Sequence, residues 1–351
     1  MKKLLEENSA IGFWMFFFVM GIGINSLNSL IWIDSGRDLL FTGGFFTSAI
    51  MFIAGYLLLD YYKNNKKDGA LKYTGLVIRK IYPTLLCGVF LAFITKNAIM
   101  GNGFNVIIRQ FFDSIWEFLG LSSLTFGSLS GTSVLWNEPL WIFSAIIISS
   151  YILYFIVSKN EDLFIFLAIV FVILIYGSSF INAFNIDIGL LRVMAAMSLG
   201  MLLHYIVDYI KKKDLNELQT MTLSIVHISL IMFIIYNWIN GVYLSEITSA
   251  VIIYLLLGIV LINKDYIAVL YNKFAMGRFL GNISMYYYAS YIIFVALLAY
   301  LYPTMEYYGS VIFNILFTTC WAIIMMYLDE YFIRPVFFTK NNKKKKNSAK
   351  N

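Results

Sequence analysis

Charge, proline, histidine and cysteine are all scarce in this chain. Charged residues make up 13% of its 351 residues, against about 25% in an ordinary soluble domain, so a soluble globular protein is excluded. There are only 2 cysteines. Cys87 and Cys320 both fall inside apolar segments, where they act as small hydrophobes, and no disulfide framework or thiol metal site is implied. No zinc-ligand cluster, phosphate loop or Gly-x-Gly-x-x-Gly fingerprint occurs, and no metal is expected. The alternating ten-residue pattern of an outer-membrane barrel is missing, as is any repeat at a fixed period. The start, Met1 to Glu7, is charged, and the apolar stretch after Glu7 lacks an Ala-x-Ala cleavage site. That stretch reads as a membrane helix rather than a signal peptide.

What is abundant is apolar surface. Hydrophobic residues form 60% of the chain and aromatic residues 18%, gathered in runs long enough to cross a bilayer, roughly 17–25 residues each. The fold class expected is an all-α polytopic membrane protein. Ten spans are read at 10–33, 39–62, 81–99, 138–157, 162–180, 187–209, 221–240, 245–262, 280–302 and 308–330. With both termini cytoplasmic, all of the 26 Lys and Arg except Arg37, Lys96, Arg109 and Arg192 lie inside, as the positive-inside rule requires. Residues 1–339 form the transmembrane domain. Residues 340–351 form a basic cytoplasmic tail, attracted to anionic membrane lipid and not to nucleic acid. Low proline, lysine-rich loops and Asn-rich connectors suggest a bacterial inner (plasma) membrane.

One external segment is long, roughly 100–137. In Val106–Leu121 the polar residues Arg109, Gln110, Asp113, Ser114 and Glu117 recur at helical spacing among Ile, Phe, Trp and Leu. That pattern fits one helix lying in the interface, followed by an irregular Ser/Gly/Thr-rich loop from Ser122 to Ser133. It is either a surface cap or a lid over an outward-facing cavity. Asp34, Arg37 and Asp38 form a charged hairpin between the first two spans, and Glu138 opens the fourth. With Trp141 and other tryptophans they make a polar, aromatic-rich outer rim. Such a rim binds sugar by stacking and hydrogen bonding, or is simply the aromatic belt of a membrane protein.

Two further places could carry chemistry. A basic segment from Lys63 to Lys80 ends in Arg79-Lys80-Ile81-Tyr82-Pro83, where an uncharged run begins. A cationic rim there fixes topology, or it holds an anionic ligand. His204 lies near the inner end of the sixth span, with Asp208 one helical turn on, so a carboxylate could orient the imidazole for general-base work. His227 lies in the inner third of the seventh span, where ionisable groups are costly and often functional.

Several short stretches together resemble the membrane acyltransferase 3 family, which modifies cell-envelope glycans. Phe45–Leu58 is similar to the family's Phe-rich second span ending in Ser-Gly-Phe-Leu-Leu, with Ala54 in place of the serine. Arg79–Pro83 resembles the basic entry to its third span, and Pro139-Leu140-Trp141-Ile142-Phe143 its Leu-Trp-Phe signature. Leu280–Tyr287 resembles its Leu-Gly-x-Ile-Ser-Tyr segment, and Ile333-Arg334-Pro335 its closing Glu-Arg-Pro. The resemblance implies an acyl-CoA (acetyl-CoA) donor held by Arg79 and Lys80. It implies an acyl group passed to a hydroxyl of a cell-surface polysaccharide or a lipid-linked sugar.

The family's first span carries a basic residue and, after ten intervening positions, a histidine. Here those positions hold Ile11 and Ile22, and the aromatic-His ending of the ninth-span motif falls near Ser290. His204 with Asp208 is then the only internal His–carboxylate pair for catalysis, and Trp141, Glu138 and Arg37 the substrate contacts. The alternative is a catalytically inactive relative that serves polysaccharide export or binds glycan as an accessory subunit. An unrelated secondary transporter is the third reading.

Overall fold

The computed structural model of the chain describes residues 8–31, 43–121, 140–177, 188–240, 244–273, 276–302, 305–333 and 335. Among them every regular element is helical. The helices are α1 (Ser9–Ile31), α2 (Gly43–Asn64), α3 (Ala70–Met100), α4 (Phe104–Asp113), α5 (Ile115–Phe118), α6 (Trp141–Lys159) and α7 (Glu161–Gly177). They continue with α8 (Ile188–Lys211), α9 (Glu217–Asn240), α10 (Glu246–Ile262), α11 (Tyr266–Lys273), α12 (Met276–Leu301) and α13 (Tyr307–Leu328). A π-helical turn, Asp329–Ile333, closes the last of these. An apolar chain in lipid has no water to satisfy its backbone, which leaves the helix as the element that bonds itself internally.

Eight of these helices are long and apolar enough to cross a membrane. A further pair, Ile247–Ile262 with Tyr266–Lys273, passes the same test only as one span bent by 66°. α7 is apolar after its first two residues, Glu161 and Asp162, but has 17 described residues. Each of the ten expected spans thus corresponds to a helix, and eight stand as spans by themselves.

Two expectations change. The basic stretch before the third span was expected as a segment outside it, yet α3 runs for 31 residues and carries Lys72, Arg79 and Lys80 on its first turns. Leu, Val, Ile, Lys and Arg all sustain a helix there, so only residues 65–69 are left as a connector. The external helix expected over Val106–Leu121 is two helices broken at Ser114, whose hydroxyl bonds the Gln110 carbonyl at 2.6 Å. These fold back along α3 rather than lying apart from it. Phe111 and Phe118 pack on Phe93 at 6.1 and 5.8 Å between ring centroids, and Tyr82 Oη donates to the Phe118 carbonyl at 3.0 Å.

The closest helix pairs are made by small residues. A Cβ on Gly55 in α2 would run into the Met197 carbonyl of α8, and one on Gly200 into the Phe52 carbonyl of α2. The two helices therefore touch backbone to backbone, as small residues allow inside a membrane. Asp60 and Lys63 of α2 then meet His204 and Asp208 of α8 in turn, which shows that the pair runs in parallel register. α1 packs along α12, and Asn8 and Ser9 tie its first turn to the α10–α11 break. Asn8 Nδ2 donates to the Val260 carbonyl at 2.6 Å and Ser9 N to Asn272 Oδ1 at 2.8 Å. Lys66–Glu161 at 3.1 Å and Lys264 on the Lys211 carbonyl at 2.8 Å join further helix ends. The lysine-bearing ends are thereby gathered at one end of the bundle.

Candidate functional site

At that lysine-rich end a cavity of about 520 Å³ opens between α1, α2, α3, α6 and α12. Its depth is apolar, walled by Val19, Ile50, Ile53, Phe143 and Ile146, with Tyr288 behind. Its mouth is polar, formed by Asp60, Asn64, Asn65 and Lys80 with the rings of Tyr61 and Tyr73. Ligand pockets span roughly 300–1,000 Å³ and combine apolar walls with a few polar groups. This cavity meets both criteria.

The mouth is held in shape by the short connector of residues 65–69. Tyr61 Oη donates to Asp68 Oδ2 at 2.5 Å, and Tyr154 Oη to the Asp68 carbonyl at 2.9 Å. Lys72 pairs with the same carboxylate, and Tyr73 stacks on Tyr154 at 5.1 Å. The Lys72 ammonium first, and the Tyr61 hydroxyl second, hold the Asp68 carboxyl below its usual range. Lys66, hydrogen-bonded to Glu161, is held above the usual lysine range by that carboxylate. One connector thus fixes the cavity edge to α2, α3, α6 and α7.

The carboxylate that meets His204 is Asp60, and not Asp208 as its spacing suggests. His204 Nε2 stands 3.6 Å from Asp60 Oδ1, and its ring lies on Tyr56 at 4.7 Å. Asp208 turns instead to Lys63 at 3.5 Å and Lys212 at 3.8 Å. The reason is the parallel register of α2 and α8, which brings Tyr56 and Asp60 onto His204 while Lys63 engages the next turn. His204 is 4% exposed, and Asp60 lies between it and the cavity. A hydroxyl brought to the mouth would therefore meet a carboxylate first, with the imidazole behind it.

The other expected site residues separate. Lys80 lines the cavity, whereas Arg79, one position earlier, points outward and is exposed. Trp141 opens α6 at the end of that helix opposite Lys159, half-buried against the core. Arg37 and Glu138 lie outside the described residues, as do the Ser122–Ser133 stretch and the basic tail. Ile11 and Ile22 are buried in the apolar core at 0% and 4% exposure, so neither reaches the cavity.

The second histidine singled out in the sequence, His227, has a carboxylate partner that sequence reasoning missed. His227 of α9 and Asp265, in the break between α10 and α11, are both fully buried and share a 2.8 Å hydrogen bond. Asp265 Oδ2 also accepts from the Ala268 amide at 3.2 Å, capping α11. Ser224, one turn before His227, accepts the Tyr266 amide at 3.0 Å. Beyond His227 itself, the sequence signal for the pair is an aspartate three residues after the apolar run that ends at Ile262. No family model matches the chain, and neither a curated protein nor a solved structure does.

Proposed function

We propose that the protein is an inner-membrane acyltransferase of ten spans with both termini cytoplasmic, drawing an acyl-CoA donor into the lysine-rich cavity. The observation that carries this reading is the cavity itself, apolar in its depth and edged by Lys80 at the mouth. Apolar walls suit an acyl-pantetheine arm, and a lysine at the rim suits a phosphate. The orientation that satisfies the positive-inside rule puts this mouth in the cytoplasm, where such a donor is found. The bound thioester supplies an activated carbonyl.

The chain's own groups do the rest. Lys80 holds a phosphate at the rim while the walls exclude water. Asp60 accepts the proton of an incoming hydroxyl as the hydroxyl oxygen bonds the acyl carbon, and passes that proton to the CoA sulfur that leaves as the carbon–sulfur bond breaks. His204, behind it, orients that carboxylate and steadies its charge. The acceptor belongs to the class of envelope glycans or lipid-linked sugars, as the sequence resemblance implies.

The burial of Ile11 and Ile22 supports a second reading. Where the family has a basic residue and a histidine, this chain has core packing, so a donor site could persist in a protein that binds or exports glycan without acylating it. Deleting the gene and weighing the surface glycans separates the two. Loss of acyl esters on an otherwise normal polymer supports transfer. Loss of surface polymer with internal accumulation supports export and removes the enzyme reading.

A further inference from the structure

A seam between α1, α12 and α13 holds polar atoms that the bundle does not satisfy. α12 brings Tyr287 and Tyr291, one turn apart, and α13 brings Asn314 and Thr318, also one turn apart. Opposite them α1 offers Gly23 and Ser26. Ser26 Oγ donates to Tyr291 Oη at 3.3 Å. Tyr287, Asn314 and Thr318 are each 0% exposed. Yet the Tyr287 hydroxyl, the Thr318 hydroxyl and both amide atoms of Asn314 have no hydrogen-bond partner among the described residues.

Groups of this kind are costly where no water reaches them. A buried asparagine in a membrane bundle usually bonds across to the next helix, and Asn314 does not. Gly23 says where these groups converge. A methyl placed on it would lie 3.5 Å from both Asn314 Oδ1 and Tyr287 Oη, an ordinary contact distance. One methyl-sized position thus borders two unpartnered polar atoms.

We propose that this seam is a binding site for a neutral hydroxyl, supplied by a sugar-like ligand or by a water held inside the bundle. The chemistry selects that class. Asn314 offers two N–H donors and one acceptor, while Tyr287 and Thr318 each offer either. A hydroxyl both donates and accepts, and so answers all of them. None of the six residues is charged, which leaves an ion without a counter-charge. The site does not depend on the acyl-transfer reading, because no residue in it lines the cavity.

The test uses the full chain purified in a sugar-free detergent and followed by thermal unfolding. Gly23→Ala fills the methyl-sized position, while Tyr287→Phe and Asn314→Leu remove the polar atoms. Were nothing bound, Gly23→Ala would gain helix propensity, and Tyr287→Phe would delete an unsatisfied group. Both would then unfold at or above the wild-type temperature, by about 2–4 °C for Gly23→Ala, and that result overturns the site. The site predicts the opposite sign, with all three variants unfolding below wild type. Added methyl glucoside separates the sources. A rise in Tm in wild type that Asn314→Leu abolishes assigns the hydroxyl to a ligand. No rise, with the three variants still lowered, assigns it to internal water.

Discussion

At the scale of single residues, His204, His227 and Asp208 each meet an ionisable partner from outside their own helix. His204 and Asp208 are spaced to meet on one helix, and the sequence offers no sign that Asp60 intervenes, because that contact depends on how α2 lies against α8. For the acyl transfer proposed above, Asp60→Asn is expected to abolish turnover while leaving donor binding within about twofold, and Asp208→Asn to preserve both. Paired assays of turnover and binding check this.

His227 and Asp265 allow a sharper stability test. Removing one partner of a buried pair leaves the other uncompensated, at about 3–5 kcal/mol. His227→Ala and Asp265→Ala should each cost that much, and the double variant clearly less than their sum in a double-mutant cycle. Additive losses would show that the 2.8 Å contact carries no coupling.

Asp68 gives a pH dependence of known sign. Its folded-state carboxyl is held below the ordinary value near 4 by Lys72 and Tyr61. Its contribution to stability is present above that ordinary value and lost as pH falls through the folded one. Wild type should thus exceed Asp68→Asn in stability at neutral pH, and the gap should close in acid. A constant gap across the titration would contradict the assignment.

At the scale of elements, the apolar runs told where helices form, and the structure bears a helix at every one of them. Runs alone did not tell where helices continue or break. α3 extends through its basic residues because nothing in Ala70–Lys80 stops a helix, and α10 turns by 66° into α11 because Asp265 and Ser224 cap the new start. Such caps depend on a partner distant in sequence. The glycine of the Phe-rich second-span resemblance has a packing role that the residues themselves support. Gly55 and Gly200 let two backbones touch, and neither neighbour is a flexible side chain that could yield. Gly55→Ala should cost at least about 1–3 kcal/mol, the usual range for overpacking, with Gly200→Ala similar, whereas Gly75→Ala, which meets nothing within 4 Å, should gain up to about 1 kcal/mol of helix propensity. Unfolding in detergent measures all three.

At the scale of the whole molecule, the charge pattern and the packing agree. Among the described residues, Lys63, Lys66, Lys211 and Lys264, which the sequence assigns to one side of a membrane, lie at or beside helix ends that meet at one end of the bundle. The cavity opens there, a feature the sequence could not reveal, since its walls come from five helices spread along the chain. Lys80 was legible as a cation at the start of an apolar run, but its difference from Arg79 was not, because that rests on the rotation of α3. The role proposed for this mouth is to hold the phosphate end of an acyl thioester. Titrating acetyl-CoA into the purified protein, with Lys80→Ala and Arg79→Ala beside wild type, tests it most directly. Wild-type binding should be saturable, weakened about tenfold or more by Lys80→Ala, as one lost charge-assisted hydrogen bond implies, and changed within about threefold by Arg79→Ala. Absence of wild-type binding, or equal binding by Lys80→Ala, would contradict it.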